Sequence, residues 1–96
     1  MRFTTPTSTK ADVVAMIAKK AYEAGIDPSK ALKIAKCESK FNHLAINPNS
    51  SAKGLFQIIN KTFSTYCEGD ALIAEDSLNC FIKLYKKYPH WWVCKG

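Results

Sequence analysis

No apolar run in this 96-residue chain approaches the roughly 20 residues that a membrane-crossing helix needs. The opening stretch, MRFTTPTSTK, has no apolar centre of the kind a signal peptide carries. C-x-x-C pairs are missing as well. Cys37, Cys67, Cys80 and Cys94 stand apart, and neither His43 nor His90 supplies the close ligand pairs of a zinc site. No metal and no cofactor are therefore expected. Four cysteines in so small a chain fit two disulfides in an oxidising compartment, with buried free thiols as the alternative. Acids are scarce: 8 Asp and Glu face 14 Lys and Arg, a net charge of +6. That balance favours a polyanionic partner (nucleic acid, anionic lipid or an acidic wall polymer), or is simply a solvated basic surface. No aromatic-basic motif accompanies it, so nucleic acid is not expected as a partner.

Repeats and low-complexity tracts are also absent, and a chain this short holds one core. We read residues 1–8 as a loose arm and 9–96 as a single domain. Thr9-Lys10-Ala11-Asp12 fits a capping box, and Val13, Val14, Ile17, Ala18 and Ala21 follow at helical spacing until Gly25. Asp27-Pro28 places a cap before a first-turn proline, which predicts a second helix from about Pro28 to Lys40. Asn42 to Gly54, rich in Asn and Ser, is a loop, with room for a small extended element. Leu55 to Ile59 is apolar but too short to assign. Asn60 is read as the cap of a short helix through Tyr66. A last helix is predicted over roughly Ser77 to Tyr88, with Leu78, Phe81, Ile82 and Tyr85 as its buried stripe, stopped by Pro89. A long loop in so small a domain is usually functional.

One acid sits where an apolar residue is expected. Ala31, Ile34, Ala35 and Glu38 lie at i, i+3, i+4 and i+7 on the second helix. A carboxyl on that stripe loses solvent, which favours its protonated form and suits it to donate a proton to a leaving group. The plain alternative is an acid turned outward where the helix frays.

The residues after Glu38 weigh on that choice. Glu38-Ser39, Phe41, Ala45, Asn47, Ala52, Gly54-Leu55-Phe56-Gln57-Ile58 and Thr62-Phe63 follow one another in the order and spacing of a known motif. The stretch from Cys37 to Phe63 resembles the core of the soluble lytic transglycosylase family, within the lysozyme-like superfamily. Cys37 immediately before the acid, with Trp91-Trp92-Val93-Cys94 at the end, is also similar to the small transglycosylase domain of resuscitation-promoting factors. That second likeness implies a Cys37–Cys94 bond, leaving Cys67 and Cys80 as a second pair or as free thiols.

The resemblance implies a mainly α, lysozyme-like fold, a small helical domain whose long central loop or minimal β element lines a cleft. It implies cleavage of the β-1,4 bond between N-acetylmuramic acid and N-acetylglucosamine in peptidoglycan glycan strands. Glu38 would be the general acid and then the base, yielding a 1,6-anhydro product. Substrate contacts are expected from Ser39, Asn47, Gly54, Leu55, Phe56 and Gln57. For Ser39 and Asn47 a purely structural role is the alternative, for Phe56 and Ile58 plain packing. Trp91 and Trp92 could stack on sugars, and are read instead as packed tail. Residues 42–57 hold no Asp or Glu, and Glu68, Asp70, Glu75 and Asp76 lie beyond the motif. A single-acid site favours transglycosylation over hydrolysis, which needs a second carboxylate. The alternatives kept are a hydrolytic lysozyme and a non-catalytic peptidoglycan-binding module. The chain departs from larger family members in lacking their later Tyr-Asn pair, with Tyr66, Tyr85 and Tyr88 as possible substitutes. We expect a monomer acting outside the cytoplasm (secreted, periplasmic or at the wall) or a phage-derived one. It would be delivered by a leader already removed or by another route, such as host lysis.

Overall fold

The computed structural model of the chain describes residues 9–94; the arm expected over residues 1–8 lies outside them. Helix α1, Lys10–Glu23, begins where Thr9 Oγ1 accepts the Asp12 amide at 3.1 Å. It ends in a left-handed Gly25 (φ 80°), with Gly25 N bonded to Tyr22 O and Ile26 N to Ala21 O. This pair of bonds seals the last carbonyls and brings Ile26 back against Ala21, both in the core. Helix α2, Pro28–Ser39, starts at Asp27, whose carboxylate accepts from the Ser29 amide at 2.9 Å. Helices α3, Asn60–Tyr66, and α4, Ala74–Lys87, complete the set, and a 3₁₀ turn, Pro89–Trp91, leads into the tail. The fold is mainly α, with almost no strand: antiparallel bridges Ile46 to Lys53 and Lys53 to Ile58 are the β element of the loop.

The core is one cluster. Val13, Ile17 and Ala21 of α1 meet Ala31, Ile34 and Ala35 of α2, with Leu78, Phe81 and Leu84 of α4. Phe56 enters from the loop and stacks on Phe81, ring centroids 4.0 Å apart. Trp92 presents its edge to Phe81 at 4.9 Å and donates its buried indole N–H to Phe56 O at 3.1 Å. The loop and the tail are thus held on the same aromatic stack.

Two boundaries differ from the sequence reading. Asn60 is the first residue of α3 and does not cap it; Ile59 takes the cap position, and the Asn60 amide is taken by Ser51 Oγ at 3.0 Å. Helix α4 begins three residues earlier than expected. Ser77, which looks like a helix start, is fully buried inside α4, where its small side chain leaves space for the loop at Gly54. Among the stripe residues, Leu78 and Phe81 are buried, while Ile82 and Tyr85 are only partly so and Leu84 takes their place. The cysteines form two bridges, Cys37–Cys94 (Cα–Cα 5.8 Å) and Cys67–Cys80 (5.4 Å).

Candidate active site

Glu38 occupies the last turn of α2, one residue after Cys37 and one before the end of the helix. Its stripe partners Ala31, Ile34 and Ala35 are buried, but Glu38 itself is half-buried and borders a cavity of about 310 Å³. The wall opposite comes from distant parts of the chain. Gln57, Ile58 and Ile59 close the loop side, Thr62 comes from α3 and Leu84 from α4, and Trp91 and Trp92 come from the tail. Among the described residues no acidic or basic side chain besides Glu38 lines it. Desolvation by these surroundings holds the Glu38 carboxyl above the ordinary glutamate value, and among the described residues no charged neighbour offsets that rise.

The backbone around this cavity is bent in an uncommon way. Among the described residues three non-glycine positions have left-handed φ: Lys40 at 56°, Phe41 at 64° and Gln57 at 51°. Two lie two and three residues after Glu38, and the third lines the same cavity. Such conformations cost about 1–3 kcal/mol each and persist where the surroundings enforce them, often at functional sites. Here they turn the chain sharply off α2, so that the loop returns beside the acid.

The expected site residues divide by what they touch. Gln57 lines the cavity, and its amide nitrogen donates to Gly54 O (2.9 Å) and Ala45 O (3.2 Å), which leaves Oε1 for a ligand. Ser39 is buried, its hydroxyl 2.8 Å from Leu55 O and 3.1 Å from Ala35 O, so it ties α2 to the loop. Asn47 serves the loop: its Oδ1 accepts from Asn49 N at 2.7 Å and its main-chain N–H donates to Ala52 O at 2.9 Å. Gly54 (φ 86°) is buried where a Cβ would collide with the Ala71 carbonyl. Its close approach is to another segment of backbone. Leu55 and Phe56 have fully buried side chains, so this segment has only main chain to offer a ligand.

Of the four acids downstream of the motif, three are engaged elsewhere. Glu75 pairs with Lys20 at 3.0 Å, Asp76 accepts the Asp70 amide, and Asp70 accepts the Leu72 amide. Glu68 and Asp76 border a separate cavity next to the Cys67–Cys80 bridge. Nor does a tyrosine line the Glu38 cavity. Tyr88 stacks on Trp91 at 4.2 Å, Tyr66 meets both rings edge-on at 6.4 Å, and Tyr85 packs on Phe81 and Trp92. Two of the tyrosines therefore support Trp91. Among the described residues no group of three His, Cys, Asp or Glu stands close enough to hold a metal.

Trp91 is the clearest addition to the expected set, being partly exposed (43%) at the cavity wall, whereas Trp92 is packed as expected and also reaches that wall. The signal for it is the bridge: if Cys94 bonds Cys37, the residues just before Cys94 must lie beside Glu38.

A family model described as Transglycosylase SLT domain matches residues 15–94. No curated protein and no solved structure matches the chain.

Proposed function

Because the chain belongs to the transglycosylase SLT domain family, whose activity is on peptidoglycan, we propose that Glu38 alone carries the proton transfers of a lytic transglycosylase. Peptidoglycan lies outside the cytoplasmic membrane, and two disulfides are compatible with that setting. In the first step Glu38, protonated, gives its proton to the oxygen between muramoyl and glucosaminyl residues, and the bond from that oxygen to the muramoyl C1 breaks. The carboxylate so formed takes the proton from the muramoyl 6-hydroxyl as that oxygen bonds to C1. Glu38 is again protonated, the product is a 1,6-anhydro muramoyl end, and no water is consumed.

The observation that carries this reading is a lone carboxyl, raised in pKa by desolvation, in a cavity with no second acid. Hydrolytic glycosidases place a second carboxyl about 5–10 Å from the first, as nucleophile or base. An intramolecular nucleophile removes that requirement. Gln57 Oε1, at the cavity wall, and the main-chain N–H groups of Leu55 and Phe56, whose carbonyls already accept from Ser39 and Trp92, are assigned to the acetamido groups, and Trp91, backed on one face by Tyr88, to a sugar ring.

Replacing Glu38 with Gln tests the assignment. Clearing of a peptidoglycan suspension should fall by about 10²–10⁴-fold, the usual worth of a general acid, with far-UV circular dichroism unchanged. Unchanged clearing would remove Glu38 from the mechanism. Mass spectrometry of the products of the unaltered protein should find anhydro-muramoyl ends; reducing ends alone would make it a hydrolase.

A further inference from the structure

We propose that the groove next to the cleft, where Lys30, Lys33 and His90 stand over Ile34, Tyr85 and Trp92, binds the acidic stem peptide of the strand being cut. The proposal rests on the reading of the cleft above, since it takes the glycan to lie at Glu38. The groove encloses about 610 Å³ and shares a wall with the cleft, since Trp92 lines both. Helix α2 also serves both: Ile34 lies one turn before Glu38, and Lys30 one turn earlier again.

Reach and charge fit the same occupant. At 1.5 Å per residue, the axial distance back from Glu38 is about 6 Å to Ile34 and about 12 Å to Lys30. A peptide hanging from the lactyl group of a muramoyl residue at Glu38 covers that distance with about three or four extended residues. Such a peptide carries carboxylates on a largely alanyl chain. The groove offers two ammonium groups at its rim and an apolar floor for the methyl groups. No acid lines it. Among the described residues the one ion pair is Lys20–Glu75, so neither Lys30 nor Lys33 is held by a carboxylate. Asp27, the N-cap of α2, is the acid nearest Lys30 along the chain; its carboxylate accepts from the amide and hydroxyl of Ser29 and feels the Lys30 charge without an ion-pair contact.

The test reads binding without turnover. The Glu38→Gln protein is co-sedimented with intact sacculi and with sacculi whose stem peptides an amidase has removed. Affinity for the peptide-bearing sacculi should be about tenfold higher, in keeping with charge-assisted contacts. Adding Lys30→Gln and Lys33→Gln should erase most of that difference. The same charge loss at exposed Lys19 and Lys86 should leave it intact. Equal affinity for the two preparations overturns the proposal, as does an equal effect of the two lysine pairs. If affinity instead follows the removal of anionic wall polymers and ignores the peptides, the groove takes a different anion and the proposal fails. The cleavage reading fails separately, by clearing that survives Glu38→Gln.

Discussion

Glu38 and Asp27 stand at opposite ends of α2, and their surroundings drive their carboxyls in opposite directions. Asp27 is exposed and accepts the Ser29 amide and hydroxyl, contacts that favour its charged form and lower its pKa. Among the described residues Glu38 makes no hydrogen bond and faces no cation, and burial raises its pKa. The sign of the consequence follows from proton linkage. Between the ordinary glutamate value of 4.5 and its own higher one, the folded state binds more protons at Glu38 than the unfolded state does. The stability that goes with protonated Glu38 is complete below the ordinary value and is lost as pH rises through the folded one. A glutamine imitates the protonated form at every pH. Thermal melts of wild type and Glu38→Gln should therefore coincide near about pH 4 and separate toward about pH 7, with the variant melting higher. A gap that does not change with pH would mean that the acid is solvated in the folded protein. The same residue gives the rate its acid form, so clearing should decline as pH rises through the raised Glu38 pKa.

Among the elements, the central loop is built from tertiary contacts, and this sets what can be read of it in advance. The caps of α1 and α2 are local chemistry, so Thr9, Gly25 and Asp27-Pro28 mark those helices from the sequence alone. The start of α4 is not local, because Ser77 is buried to make room for Gly54, and no window of sequence contains both. Asn60 likewise loses the cap role to a long-range bond with Ser51 Oγ. At the candidate site, the apolar stripe singles out Glu38 and the Gly-Leu-Phe-Gln pattern singles out Gln57. That Ser39 and Asn47 face the protein, and that Trp91 faces the cavity, depends on how the loop and tail fold back. Gly54 is the tightest joint in this arrangement. Its left-handed φ and its position against Ala71 leave no space for a methyl group. Gly54→Ala should lower stability by about 3 kcal/mol, the sum of a strained backbone and an overpacked contact. Urea unfolding under oxidising conditions measures it. A loss below about 1 kcal/mol would show that the loop can shift away from α4 at little cost.

At the scale of the whole molecule, a 96-residue chain has too small a core to be indifferent to its crosslinks. The two bridges differ in what they join. Cys67–Cys80 spans 13 residues and ties the end of α3 to the middle of α4, elements already packed together. Cys37–Cys94 spans 57 residues and ties the last turn of α2 to a tail whose described residues after the 3₁₀ turn, 92–94, have no regular structure. Loop-closure entropy assigns about 3 kcal/mol to the shorter bridge and about 4 kcal/mol to the longer, each a large part of the about 5–15 kcal/mol typical of a folded domain. The stability effects are therefore similar, and the functional effects should not be. Opening Cys37–Cys94 frees the segment that carries Trp91 and Trp92, which form one wall of the Glu38 cavity, and it does so one residue from Glu38 itself. Cys67–Cys80 borders a different cavity. Paired serine substitutions at Cys37 and Cys94 should reduce peptidoglycan clearing by tenfold or more even at low temperature, where circular dichroism shows the chain still folded. The same change at Cys67 and Cys80 should lower the urea midpoint comparably and leave clearing within about twofold per folded molecule. Equal activity of the two variants at equal folded fraction would mean that the tail is not a wall of the working site. Loss of activity in both would instead make the positions of α3 and α4, which supply Thr62 and Leu84, as critical to the site as the tail.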